Sequence, residues 1–205
     1  MPIGVPINPG RIDWSGENPG IMLKERADGP WSALALLFRI AWSPEGRGTA
    51  LVLYEQPDAA AGPPAANNVV ITDNEPMARY LMREFVGKFG VFGDVPAFRA
   101  MPYVPLTHAT TGGDPCGNRY VETVGSDNVT VELVWEGLGR PTAIEVPPPL
   151  SGTREHTMFS LLVEARRAAI IVNGRPLPGA PVAREQAGLQ TTTAFLYFAE
   201  TWIRG

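Results

Sequence analysis

Apolar and polar positions change their period several times along the chain, and each change marks an element. Residues 33–42 form an apolar run, Ala-Leu-Ala-Leu-Leu-Phe-Arg-Ile-Ala-Trp, broken by one charge and too short to cross a membrane. The turn Ser43-Pro-Glu-Gly-Arg-Gly48 separates it from a second apolar run at 49–54, so the two read as strands joined by a loop. Residues 68–72 read as a short buried strand, and 119–124, 128–135 and 142–146 as further strands. The middle one of these alternates, Val129, Val131 and Leu133 against Thr130, Glu132 and Val134. Pro147-Pro-Pro149 interrupts the pattern. Strands resume at 159–165 and 168–172, the latter running into Asn173-Gly174, a hairpin-turn pair, and 192–198 forms the last strand.

One segment has helical rather than strand periodicity. Met77, Leu81 and Phe85, with Ala78 and Met82, make an apolar stripe at helical spacing. Asp73 or Asn74 can cap it, Glu75 and Pro76 suit a first turn, and Gly87 and Gly90 end it. Many short strands with one helix predict a single mainly β domain over 1–205, a partly open antiparallel barrel or cone. Its cavity would be lined by Phe38, Trp42, Tyr54, Phe85, Trp135 and Phe198. The first thirty residues carry five prolines and read as an extended arm around the body or a partner, and residues 57–66 as a low-complexity loop.

Composition narrows the function classes. A net charge of -4 with 19% charged residues gives no basic patch for nucleic acid. No uncharged apolar run reaches membrane-helix length, and the N-terminus lacks the basic segment and apolar core of a signal peptide, so a cytoplasmic protein without membrane contact is expected. The single cysteine, Cys116, excludes an internal disulfide and any CxxC zinc site, and reads as a bystander. His108 and His156 lie in no metal-ligand spacing. His108, Asp114 and Glu122 would meet only if the fold gathered them, so neither metal nor cofactor is expected. No GxSxG is present, Gly125-Ser126-Asp127 reading as a turn, and no Gly-rich loop opens a helix. Of the seventeen basic residues only Lys24 and Lys88 are lysines, so amine chemistry has two candidates.

Read whole, the helical segment carries Asp73-Asn-Glu-Pro76 and Arg83-Glu84-x-x-Gly87. It resembles the acetoacetate decarboxylase-like superfamily, in which an acidic strand end leads into a helix ending in Gly-Arg-Glu-x-x-Gly-(aromatic)-Pro-Lys. The resemblance covers some eighteen residues and implies a cone-like β body, homo-oligomers, and a lysine that forms a Schiff base with a keto acid. The chain departs from the pattern where that lysine belongs. Phe89 and Gly90 stand at the proline and lysine positions, Lys88 comes two residues early, and the adjacent second lysine is absent. Tyr54-Glu55 resembles the family's Tyr-x-Glu element with one residue lost.

By this resemblance Lys88 and Glu55 are the catalytic candidates, Lys88 as nucleophile and Glu55 orienting substrate or moving a proton. Tyr54 is a substrate-binding candidate. Arg39, Arg83 and Arg119 are candidates for gripping a carboxylate, since a guanidinium does so bidentately. The plainer reading makes Glu84 and Lys88, four apart on a helix, an ordinary ion pair. The expected ligand is a small organic or keto acid; the alternative is a lipocalin-like carrier of a small apolar molecule.

Overall fold

In a computed structural model of the chain, residues 10–55, 67–90, 98, 100–186 and 188–205 are described. Among the described residues the architecture is mainly β, with one α-helix of more than a turn. Strand β1 (Arg11–Glu17) and strand β2 (Gly20–Lys24) open it, followed by β3 (Trp31–Trp42), β4 (Gly48–Glu55) and β5 (Val69–Thr72). Helix α1 (Glu75–Glu84) and a 3-10 turn at Val86–Lys88 come next. Then follow β6 (Tyr103–Pro105), β7 (His108–Gly113), β8 (Arg119–Gly125), β9 (Thr130–Leu138), β10 (Thr142–Val146) and the long β11 (His156–Val172). Short β12 (Arg175–Pro176), the hairpin strands β13 (Ala183–Gln186) and β14 (Leu189–Thr192), and β15 (Ala194–Arg204) complete the chain.

Thirteen of the described strands form one sheet whose main path runs β6-β5-β4-β3-β1-β15-β11-β9-β8-β7. All its pairs are antiparallel except β5 with β6. The sheet is not a closed barrel. Its two outer strands, β6 and β7, are successive in the chain, linked through Leu106, whose N–H bonds to Thr72, and Thr107, whose N–H bonds to Gly125. β11 is one continuous strand, not two. Its first half pairs with β15 and β10 and its second half with β9 and β12.

The sheet carries a core on each face. Leu34, Leu36, Phe38 and Ile40 of β3 face α1 and join Trp14, Met77, Leu81 and Phe85. Ala33, Ala35 and Leu37 face the opposite way and join Trp135, Val163 and Leu196. A strand buried on both faces must be apolar at nearly every position, which is why 33–42 does not alternate. The helix forms as its capping residue predicts: the Asn74 side chain accepts from the Met77 N–H at 3.1 Å. It ends at Glu84, before Gly87, because Phe85 leaves helical geometry and the chain tightens into the 3-10 turn.

The segment read as an arm is corrected from residue 11 onward. β1 lies between β3 and β15, and β2 also pairs with both. Pro19 and Pro30 stand between strands and interrupt none. Residues 1–9 and the loop read at 57–66 lie outside the described residues. The predicted cavity lining also divides. Phe38, Tyr54 and Phe85 belong to the helix-side core, Trp135 and Phe198 to the other, and Trp42 is exposed. No described helix is long and apolar enough to cross a membrane.

Candidate functional site

Among the described residues, a small pocket of about 180 Å³ on the helix-side face joins apolar walls to buried polar groups. Met22 of β2, Leu36 of β3, Met158 of β11, and Phe195 and Trp202 of β15 give it apolar walls. The β13–β14 hairpin covers it with Arg184 and Gln186, and Phe89, just past the 3-10 turn, closes another side. Phe89 fits because Gly152 faces it; a Cβ there would sit 2.5 Å from the ring.

Polar groups enter this apolar pocket from one irregular strand. In β15, Phe195 and Tyr197 face the pocket while Leu196 and Phe198 face the opposite core. At Ala199 (φ 50°) the register slips, so that Ala199 and Glu200 together oppose Ser160 of β11. Such a bulge shifts every later side chain to the other face. Glu200 and Trp202 therefore join Tyr197 on the pocket side instead of following Leu196.

Glu200 is 1% exposed. Its Oε1 accepts from the Trp202 indole N–H at 2.6 Å, while its Oε2 has no hydrogen-bond partner among the described residues. Burial pushes this carboxyl up to about 8, against the opposing pull of Trp202 and the Asn18 amide. At neutral pH it is mostly a neutral acid, with a proton to donate. Asn18 Oδ1 and Arg184 Nε, on two other lining residues, are also buried without partners. The Arg184 guanidinium lies over the Phe195 ring at 4.5 Å and donates to the Tyr197 hydroxyl at 3.0 Å. That hydroxyl donates in turn to Gln186, and burial pushes it up to about 12.

A second polar network has a buried centre. His156 and Asp13 are 0% and 1% exposed and bond at 2.9 Å through Nε2 and Oδ2, and the other ring nitrogen of His156 meets the Thr153 hydroxyl at 2.8 Å. Burial lowers the histidine, which leaves a neutral ring donating to Asp13 and accepting from Thr153. Burial by itself would raise the Asp13 carboxyl, but hydrogen bonds from His156 and Arg204 hold it below the usual range. Arg11 also bonds to Asp13, at 3.0 Å. This cluster ties β1, β11 and β15 together.

The network continues outward to Lys88. Arg204 bonds to Glu155 at 2.8 Å, and the Lys88 ammonium donates to the same carboxylate at 3.0 Å, with Glu84 at 3.7 Å. Lys88 is not among the residues lining the pocket, although its neighbour Phe89 is. Arg83 is exposed on α1 and bonds to Glu84 at 2.7 Å. Arg119 sits 3.7 Å from Glu136 on adjacent strands. Tyr54 is buried against Phe98 in an edge contact of 6.0 Å. Glu55 ends β4, where its carboxylate accepts from Asn67 at 2.9 Å.

Arg39 is held by carboxylates on both sides: Glu17 at 2.7 Å, and Glu122, which also accepts from Thr111 at 2.8 Å. Burial would lower the Arg39 guanidinium, but these two carboxylates raise it further still. Across the β3–β4 pair Arg39 faces Thr49 while Ala33 faces Glu55. The two candidates are therefore six residues apart along the sheet, about 20 Å. The fold does not gather the six predicted residues into one site. His108, Asp114 and Glu122 do not converge either, and the described residues contain no cluster of three or more possible metal ligands.

Sequence reasoning missed Glu200, Arg184 and Asn18. The one available sign was the break in alternation at Ala199-Glu200, between Phe198 and Trp202. Compared with known protein families, curated proteins and solved structures, the chain matches none.

Proposed function

We propose that the protein binds a small keto acid in the pocket beneath the β13–β14 hairpin, with neutral Glu200 as the hydrogen-bond donor to the keto oxygen. The observation that carries this reading is a fully buried acid with a partnerless oxygen, in the same small pocket as an arginine with a partnerless nitrogen. Buried polar groups are costly when unpaired, so a ligand that supplies an acceptor to Glu200 and a carboxylate to Arg184 removes both penalties. At about 30 Å³ per water-sized group, 180 Å³ suits a ligand of about six non-hydrogen atoms, the size of pyruvate. A neutral acid at a carbonyl oxygen also stabilises negative charge developing there, which is the need of decarboxylation, enolisation and aldol steps alike. The acetoacetate decarboxylase-like frame rests on the sequence pattern alone, Arg83-Glu84 at the end of α1 and Gly87 in the 3-10 turn that follows. In this reading Lys88 is a structural cation, bound to Glu155 and Glu84.

Titration with pyruvate and with acetoacetate, read by tryptophan fluorescence, tests the proposal because Trp202 donates to Glu200. Saturable change is expected, weakened about tenfold or more in Glu200→Ala and in Arg184→Met. No change in the wild-type protein overturns it. Borohydride trapping with the same acids is expected to give no mass adduct; an adduct lost in Lys88→Ala restores the Schiff-base reading. The apolar walls favour a second reading, a carrier of neutral molecules. Butan-2-one bound as tightly as pyruvate would establish it instead.

A further inference from the structure

A second cleft of about 460 Å³ lies beside the pocket, and the two share Met22 and Arg184. Its other walls include Lys24, Trp31, Val182 and Thr193, with no carboxylate among the described lining residues. The Lys24 ammonium lies over the Trp31 ring at 4.6 Å and makes no ion pair among the described residues. Arg184 thus stands in the partition; among the described residues its Nε has no partner and another of its nitrogens donates to Tyr197. Two cations line this cleft, and Glu200, which lines the neighbouring pocket, is not among its walls.

From this charge arrangement we infer that Lys24 and Arg184 form an anion subsite, and that the ligand is a keto acid with two carboxylates. The inference rests on the proposed function. A monocarboxylate satisfies one of the two cations and leaves the other facing an apolar wall. A dicarboxylate matches both charges. A phosphorylated keto acid brings about one negative charge too many. The β13–β14 hairpin supplies Arg184, and the end of β2 supplies Lys24, held in place by paired backbone hydrogen bonds to Ala180 at 3.0 and 2.9 Å. Lys24 therefore selects between ligands that Glu200 and Arg184 alone would not distinguish.

Calorimetric titration of the full chain with 2-oxopentanedioate and with 2-oxopentanoate tests this, since the two differ only by a carboxylate in place of a methyl group. The dicarboxylate is expected to bind about tenfold more tightly, because a charge-assisted hydrogen bond in a partly desolvated cleft is worth that factor. Lys24→Met keeps the apolar stem over Trp31 and removes the charge; the ratio is then expected to fall to near one. Lys24→Arg, which restores the charge, is expected to recover the preference. Equal binding of both acids by the wild-type protein, or a preference that persists in Lys24→Met, overturns the subsite and leaves the keto-acid pocket standing. Binding of neither acid removes both.

Discussion

Glu200 makes a prediction about stability as well as about binding. Its folded carboxyl is raised to about 8 from an ordinary 4.5, so between those values the folded chain keeps a proton that the unfolded chain has released. Stability contributed by this group is complete below pH 4.5 and is lost as pH rises to about 8. Glu200→Gln mimics the neutral acid and removes that loss. The difference in unfolding free energy, variant minus wild type, is therefore expected to grow by up to about 1.4 kcal/mol per pH unit between pH 5 and 8 and then level off. Denaturant titrations at several pH values check this; a constant difference would mean the acid is not buried as described. The comparison has to be a difference, because His156 acts in the opposite sense. Its lowered value costs stability as pH falls and the unfolded histidine takes up a proton first.

At the scale of elements, the bulge in β15 decides which face carries Glu200. Ala199 holds the left-handed conformation at φ 50°, a region costly for residues with a Cβ and worst for β-branched ones. Ala199→Gly is expected to leave stability equal or higher. Ala199→Val is expected to lower it by about 1–2 kcal/mol and to weaken keto-acid binding by tilting Glu200. Thermal unfolding with fluorescence titration reads both effects; if Val is tolerated as well as Gly, the bulge does not position the acid. The helix offers a separate test. Asn74 caps α1 and also donates to the backbone carbonyls of Glu45 and Arg47, so it joins the helix to the β3–β4 turn. Asn74→Ala is expected to cost about 1–2 kcal/mol without altering the pH dependence that Glu200 sets.

For the whole molecule, the N-terminal segment is the informative part. Trp14 is fully buried, stacked on Trp202 at 6.2 Å and edge-on to Phe38 at 5.8 Å. Asp13 receives His156, Arg204 and Arg11. Removing residues 1–24 takes out β1 and β2, exposes the edges of β3 and β15, and strands buried partners. The truncated chain is expected to lose cooperative unfolding and near-ultraviolet circular dichroism. A folded truncated chain with only its oligomeric state changed would restore the view of this segment as an arm.

What the sequence alone determined is what local pattern controls. Apolar runs and alternation placed β3, β4, β5, β8, β9 and β10 within a few residues, the cap and stripe placed α1, and Asn173-Gly174 placed a tight turn, with both residues at positive φ. The amphiphilic β1, with Asp13, Ser15 and Glu17 among its positions, reads as part of an extended arm between prolines because its burial comes from β3 and β15, far away in the chain. The candidate site was illegible for the same reason. Arg39, Arg83, Arg119 and Lys88 carry the residue types that bind acids, yet each meets a carboxylate from elsewhere in the fold or from its own helix. Which polar atoms are left without a partner is a property of the packed molecule. Glu200 and Arg184 each keep one because a one-residue slip in β15 turns the first inward and a hairpin brings the second to the same pocket.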